Sequence, residues 1–229
     1  MADEQPGAGT LERARIRARS CTRCPALVAS RSQVVVGGGA ADADVMLVAD
    51  APGAGEDALG LPLGGRAAKL LDELLAEAGY PRGDVWVTSI VKCRPPGSRD
   101  PSPAEVANCS EHLEVQVELV RPVVVVALGS FVTKLLRGDP APIRERRGRA
   151  EARAIGSRPA WLLPVFHPAA ALYGQALTEQ LREDLARVPA LVTRGAPQIT
   201  VADPVWTRAA TQEGLVAAPA ATPGQLGLF

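Results

Sequence analysis

Apolar residues along this chain follow two alternating rhythms. Short aliphatic runs at 44–50 (DVMLVAD), 85–91 (VWVTSIV), 123–128 (VVVVAL) and 161–166 (WLLPVF) have the length and β-branched content of buried strands. Between them the period lengthens to that of helices. Residues 66–78 (RAAKLLDELLAEA) place apolar side chains at helical spacing and stop at Gly79, a residue suited to the left-handed position beyond a helix. Ser102-Pro103-Ala104-Glu105 combines an N-cap serine, a proline at N1 and an acid at N3, and predicts a helix to about Val120. Gly129-Ser130 opens another helix through Leu136, and residues 175–188 form a last one. Ahead of the first strand, the run LERARIRARS reads as a short basic helix with Thr10 at its N-cap.

Strands alternating with helices predict an α/β fold, a three-layer α/β/α sandwich around a central four-stranded parallel sheet. The uniformly apolar run at 123–128 fits a strand covered on both faces. In such sheets ligands bind beyond the carboxyl ends of the strands. The segments there, 50–65, 89–103, 129–130 and 167–171, hold nearly all the unusual residues of the chain. Residues 1–8 are polar and read as disordered, and residues 9–192 as the folded domain. Residues 193–229, rich in Ala, Pro, Thr and Gly without a sustained period, read as a flexible tail.

Composition narrows the function classes. Twenty-five basic and 25 acidic residues leave no net charge, so a strongly basic whole cannot be what recruits nucleic acid. The charges are unevenly placed, so local basic patches remain available. No stretch approaches the roughly 18 apolar residues of a membrane helix, and the N-terminus lacks signal-peptide character, so a cytoplasmic protein without a membrane partner is expected. In that compartment the four cysteines read as metal ligands or reactive thiols rather than disulfides. Cys21 and Cys24 form a C-x-x-C motif after the first helix. Cys93 follows the second strand, and Cys109 lies in the next helix. The two pairs converge if the loop between Cys93 and Cys109 folds back, with Arg23, Lys92 and Arg94 favouring the thiolates. Spacing alone leaves zinc and iron–sulfur equally open.

The ordered motifs then carry a resemblance. Cys21–Cys24, Asp50-Ala51-Pro52-Gly53 with Glu56-Asp57, Lys92-Cys93-Arg94-Pro95-Pro96-Gly97, Cys109 and His167-Pro168-Ala169-Ala170 occur in sequence. From about Cys21 to Val188 the chain resembles the iron–sulfur (family 4) uracil-DNA glycosylases. The resemblance implies a 4Fe-4S cluster on Cys21, Cys24, Cys93 and Cys109. It also implies a base pocket that includes Ala51, Pro52, Gly53, Leu63 and Ser89. Three positions depart from the family pattern: Asp50 replaces a Glu, Leu63 replaces an aromatic residue that stacks on the base, and Ser89 replaces a base-reading Asn.

Hydrolysis of an N-glycosidic bond builds cationic character on the sugar and negative charge on the departing base. A carboxylate can orient water and stabilise the cation, and a histidine can donate to the base. Asp50, with Glu56 or Asp57, is the candidate carboxylate, and His167 the candidate donor. The plainer readings are an Asx-turn for Asp50 and a helix cap for His167. Arg94, Arg99, Arg144, Arg146, Arg147 and Arg149, with the arginines of the first helix, form the local basic patches for DNA phosphates.

The last five residues, Gln225-Leu226-Gly227-Leu228-Phe229, look like the pentapeptide that binds the bacterial sliding clamp, carried on a flexible tether. The expected function is therefore a monomeric DNA-repair glycosylase that removes a deaminated base, uracil first, and is recruited by the clamp. Two alternatives stay open: altered base choice (hypoxanthine or xanthine), and a non-catalytic or weakly active DNA- and clamp-binding module. A zinc-stabilised nucleotide-binding protein ranks last, because no phosphate-loop lysine motif occurs.

Overall fold

The four aliphatic runs form four parallel strands at the centre of one larger sheet. The computed structural model describes residues 8–199. Its strands are β1 (Gly38–Gly39), β2 (Val45–Ala49), β3 (Trp86–Ser89), β4 (Val124–Leu128), β5 (Glu151–Ile155) and β6 (Arg158–Val165), in the spatial order β1-β3-β2-β4-β6-β5. The expectation of four strands is thus corrected to six, because two antiparallel edges flank the parallel core. Both edges are weak signals. β1 is two glycines, and β5 (EARAI) leaves four of its five residues half-buried.

The helices are α1 (Ala8–Arg19), α2 (Pro25–Ser30), α3 (Ala54–Leu59), α4 (Gly65–Glu77), α5 (Pro103–Val120), α6 (Ser130–Arg137), α7 (Ile143–Arg146), α8 (Pro168–Ala171), α9 (Gln175–Leu185) and α10 (Val188–Thr193). Strand side chains alternate between two apolar layers, as period two requires. Met46, Val48, Val125, Ala127 and Leu162 pack with residues of α1, α2, α5 and α6. Val45, Leu47, Val124, Val126 and Leu163 pack with α4, α8, α9 and α10. Three layers result, as expected.

Local chemistry sets the helix ends. Ser102 Oγ accepts from Glu105 N at 3.3 Å while Glu105 Oε2 accepts from Ser102 N at 2.8 Å, a complete capping box. Thr10 lies inside α1 rather than at its cap, since the helix already includes Ala8. The helix expected over 175–188 ends at Leu185, and a separate α10 starts with Pro189 in its first turn, where a missing N–H costs nothing. Beyond α10, Arg194 lies 4.6 Å over the Trp161 ring, and Trp161 Nε1 donates to Gly195 O at 2.9 Å. The chain therefore stays docked past residue 192. The clamp-type sequence Gln225–Phe229 lies outside the described residues. Among the described residues, no helix is long and apolar enough to cross a membrane.

The connection from β2 to β3 carries α4 on one face, and that from β3 to β4 carries α5 on the other. β2 and β4 are neighbours whose connections leave in opposite directions. A crevice opens at such a switch point, beyond the carboxyl ends of the strands.

Candidate active site

Asp50 directly follows β2, Ser89 ends β3, Gly129 follows β4, and His167 follows Phe166 beyond β6. All four stand at the carboxyl edge of the sheet. His167 caps α8: its Nδ1 accepts from Ala169 N at 3.1 Å. The helix-cap reading is therefore correct as far as it goes, and it has a chemical consequence. A ring nitrogen that accepts carries no proton, so the hydrogen of the neutral imidazole sits on Nε2. Burial lowers the His167 pKa, against the opposing pull of Asp50 and then Glu56, so the ring is neutral at pH 7. Gly129 makes room for it. At φ +90°, a Cβ there would stand 3.1 Å from His167 Cβ.

The two carboxylates that act on His167 are held differently. Asp50 Oδ1 accepts from the adjacent Ala51 N at 2.8 Å, not in the expected Asx-turn, because the residue two on is Pro52 and has no N–H; the Asp50 carbonyl accepts from Val91 N at 3.0 Å. Glu56, on α3, accepts from Gly64 N at 2.7 Å and fills the space where Gly53 would carry a Cβ, its Oε2 2.7 Å from that position. Asp57 drops out as a candidate. It is buried and accepts from Ser32 N (2.9 Å) and Gln33 N (3.4 Å), fixing the segment after α2. Asp100, which with Arg99 follows the Lys92–Gly97 motif but gains no site role from sequence, has its carboxyl pKa raised by burial and then by the Asp50 charge, while Lys134 opposes both. These two side chains therefore belong to the electrostatic surroundings of Asp50.

Leu63 takes φ +53°, a left-handed conformation that costs a non-glycine residue on the order of 1 kcal/mol or more. Arg82 holds the loop by donating to Pro62 O at 2.6 Å while pairing with Asp72. Ser89 is buried, and its Oγ donates to Val91 O at 2.8 Å, so its one hydroxyl proton is committed to the protein. Lys92 is buried beneath it. Its Nζ donates to Thr88 Oγ1 (2.6 Å), Ser89 O (2.5 Å) and Gln116 Oε1 (2.8 Å).

The cysteines come together across the chain. Arg31 donates to Cys93 Sγ at 3.0 Å and to Cys21 O at 2.8 Å. Arg23 Nε donates to Cys21 Sγ at 3.4 Å, Asn108 Nδ2 to Cys24 Sγ at 3.6 Å, and Lys92 N to Cys109 Sγ at 3.3 Å. Arg31 and Asn108, not singled out from sequence, join Arg23 and Lys92 as donors to the sulfurs. Nothing in the periodicity marks either residue. Burial raises the Cys93 thiol, and Cys21 and Cys24 raise it further. Burial pushes Cys109 up to about 11, with Cys93 and Cys21 adding to it and Lys92 opposing. At Cys21 burial acts upward, yet the hydrogen bonds and charge of Arg23 bring the thiol below its ordinary value. The four thiols thus sense one another. Among the described residues, no three Cys, His, Asp or Glu side chains meet closely enough to grip a single ion.

His112 is a buried neighbour with its Nε2 2.9 Å from Arg23 Nη2. Burial, then the charges of Arg23 and Lys92, lower its pKa to about 4. From pH 6.5 down to about 4 the unfolded chain binds a proton that the folded protein refuses, so stability present above that window is lost on acidification. The loss is on the order of 2–3 kcal/mol. His112→Gln should flatten the fall between denaturant melts at pH 7 and pH 4.5; parallel losses in both proteins would contradict this.

Of the six arginines expected at phosphates, three have protein partners. Arg99 forms a two-point pair with Glu105 (2.8 and 2.6 Å), Arg146 meets Asp139 at 3.1 Å, and Arg147 meets Asp184 at 2.9 Å. Arg144 and Arg149 are exposed without an acidic partner among the described residues, and Arg94 Nε is buried and unpartnered. In α1, Arg17 pairs with Glu111, and Arg15 lies over Trp86 at 5.4 Å.

Comparison with known proteins adds independent findings. A model of the uracil DNA glycosylase superfamily matches residues 36–187. The type-4 uracil-DNA glycosylase of Archaeoglobus fulgidus is 35% identical over 184 residues, spanning 79% of this chain and 92% of that protein. That of Thermotoga maritima is 37% identical over 181 residues, spanning 78% and 92%. A type-5 uracil-DNA glycosylase of Pyrobaculum aerophilum is 36% identical over 159 residues, spanning 55% and 70%.

Proposed function

The chain belongs to the uracil DNA glycosylase superfamily, and we propose that it is a type-4 DNA-repair glycosylase that hydrolyses the N-glycosidic bond of uracil flipped out of DNA. Water adds to the sugar, the base leaves, and an abasic site remains. One observation carries the reading: His167 Nδ1 accepts from Ala169 N, leaving Nε2 as the nitrogen that can donate, at the strand edge it shares with Asp50. A neutral donor can strengthen its hydrogen bond to a base oxygen as negative charge gathers there. Asp50 holds the attacking water and, with Glu56, stabilises the cationic sugar. Ala51, Pro52 and Gly53 line the base pocket beside Leu63 and Ser89. The test is to incubate the protein with duplexes bearing uracil, hypoxanthine or xanthine and score abasic sites. Product from uracil is expected; intact strands with all three would favour a binding module.

Two observations favour a shifted base choice as the second reading. Ser89 has no free proton to offer a base, and it cannot make the paired donor-and-acceptor contact of an amide. Leu63 gives apolar contact without stacking. Leu63→Phe keeps the backbone demand at φ +53° and adds stacking, so uracil excision should rise about tenfold in kcat/KM. An unchanged or lower value would remove Leu63 from the base pocket.

Cys21, Cys24, Cys93 and Cys109 would hold a 4Fe-4S cluster, whose positive core lets four mutually repelling thiols ionise together. Hydrogen-bond donors on each sulfur, from Arg23, Asn108, Arg31 and Lys92 N, suit the thiolate forms that such a cluster needs. Arg94, Arg144 and Arg149 lead the phosphate contacts, since Arg99, Arg146 and Arg147 already serve acidic partners. The protein works as a cytoplasmic monomer and reaches the sliding clamp through Gln225, Leu226, Leu228 and Phe229. Deleting those last five residues should abolish co-elution with a bacterial clamp and leave excision unchanged. Undiminished co-elution would end that assignment.

A further inference from the structure

We infer that Lys92 is a positioning residue for glycosidic cleavage, tying the end of β3, and through it the backbone of Asp50, to the segment that carries the cysteines. This rests on the glycosylase reading above. A lysine almost never lies fully buried, yet Lys92 is only 1% exposed. Its Nζ is held by three neutral acceptors and no carboxylate: Thr88 Oγ1, Ser89 O and Gln116 Oε1. Gln116 is itself anchored, donating to Val36 O at 2.6 Å.

Lys92 Nζ holds the Ser89 carbonyl at the point where β3 ends. The next two amides then face β2: Ile90 N donates to Ala49 O at 2.8 Å, and Val91 N to Asp50 O at 3.0 Å. Parallel pairing therefore continues past the strand, up to the candidate catalytic carboxylate. From the other side, Lys92 N donates to Cys109 Sγ, and Cys93 is the next residue. One residue thus joins the catalytic tip to the cysteine site.

Lys92→Met keeps the stem and the Lys92 N to Cys109 bond while removing the Nζ amine and its three hydrogen bonds. Measured on the full-length, iron-loaded protein, kcat for uracil excision should fall roughly 10- to 100-fold with KM little changed, as misplacement of a catalytic group by about 1 Å predicts. Hydrogen exchange of the 86–92 segment should speed up while the visible iron–sulfur absorbance is retained. An unchanged kcat per loaded molecule, or unchanged exchange, overturns the inference. If Lys92→Met does not fold, Gln116→Met removes one acceptor away from both sites. It should give a smaller fall in kcat with faster exchange, and wild-type values for both overturn the inference. If the unmodified protein excises no base at all, it is the glycosylase reading that fails.

Discussion

His167→Ala should lower kcat for uracil excision by roughly 10²- to 10³-fold, the usual effect of removing one preorganised donor to a developing anion. Binding to uracil-containing duplex should be nearly unchanged, because the proposed phosphate contacts, Arg94, Arg144 and Arg149, lie on other residues. The imidazole also caps α8, and losing a cap costs about 1 kcal/mol, so alanine mixes two effects. His167→Asn separates them. Asparagine is a good cap yet too short to replace Nε2, so its stability should match wild type while its rate matches alanine. Full activity in the Asn variant would remove His167 from the chemistry and leave it as a cap.

The second large effect belongs to the cysteines. Cys109→Ala and Cys93→Ser should each yield protein without the brown absorbance of an iron–sulfur cluster. Both residues are buried in the layer formed by α1, α2, α5 and α6. Binding of the proposed cluster there would be folding free energy, so the loss should exceed about 4 kcal/mol, a large part of the 5–15 kcal/mol that typically holds a domain together. Iron content and a denaturant melt report the two consequences. Variants that keep full colour and a wild-type midpoint would show that these sulfurs bind no cluster.

How much of this was legible in the sequence depended on the range of the forces involved. The parallel strands and the long helices α4 and α5 follow from local periodicity and capping, which need only neighbouring residues. The edges β1 and β5 escaped because two glycines and a half-buried EARAI carry almost no periodic signal. At the site, His167 and Asp50 stood out by type and motif. The bonds that hold them, Ala169 N to Nδ1 and Val91 N to Asp50 O, emerge only in three dimensions. Glu56 and Asp57 looked interchangeable as neighbours in sequence. One helical step turns Asp57 into the core and leaves Glu56 beside the glycine loop. The arginines show the same limit, since Arg99 and Arg147 read as free cations until Glu105 and Asp184 are placed beside them.

The most direct measurement is a crystal structure of the protein soaked with free uracil. A uracil carbonyl oxygen should lie about 3 Å from His167 Nε2, with Asp50 on the side where the sugar would attach. Uracil bound away from the strand edge, or an imidazole with Nε2 turned from the base, would contradict the account.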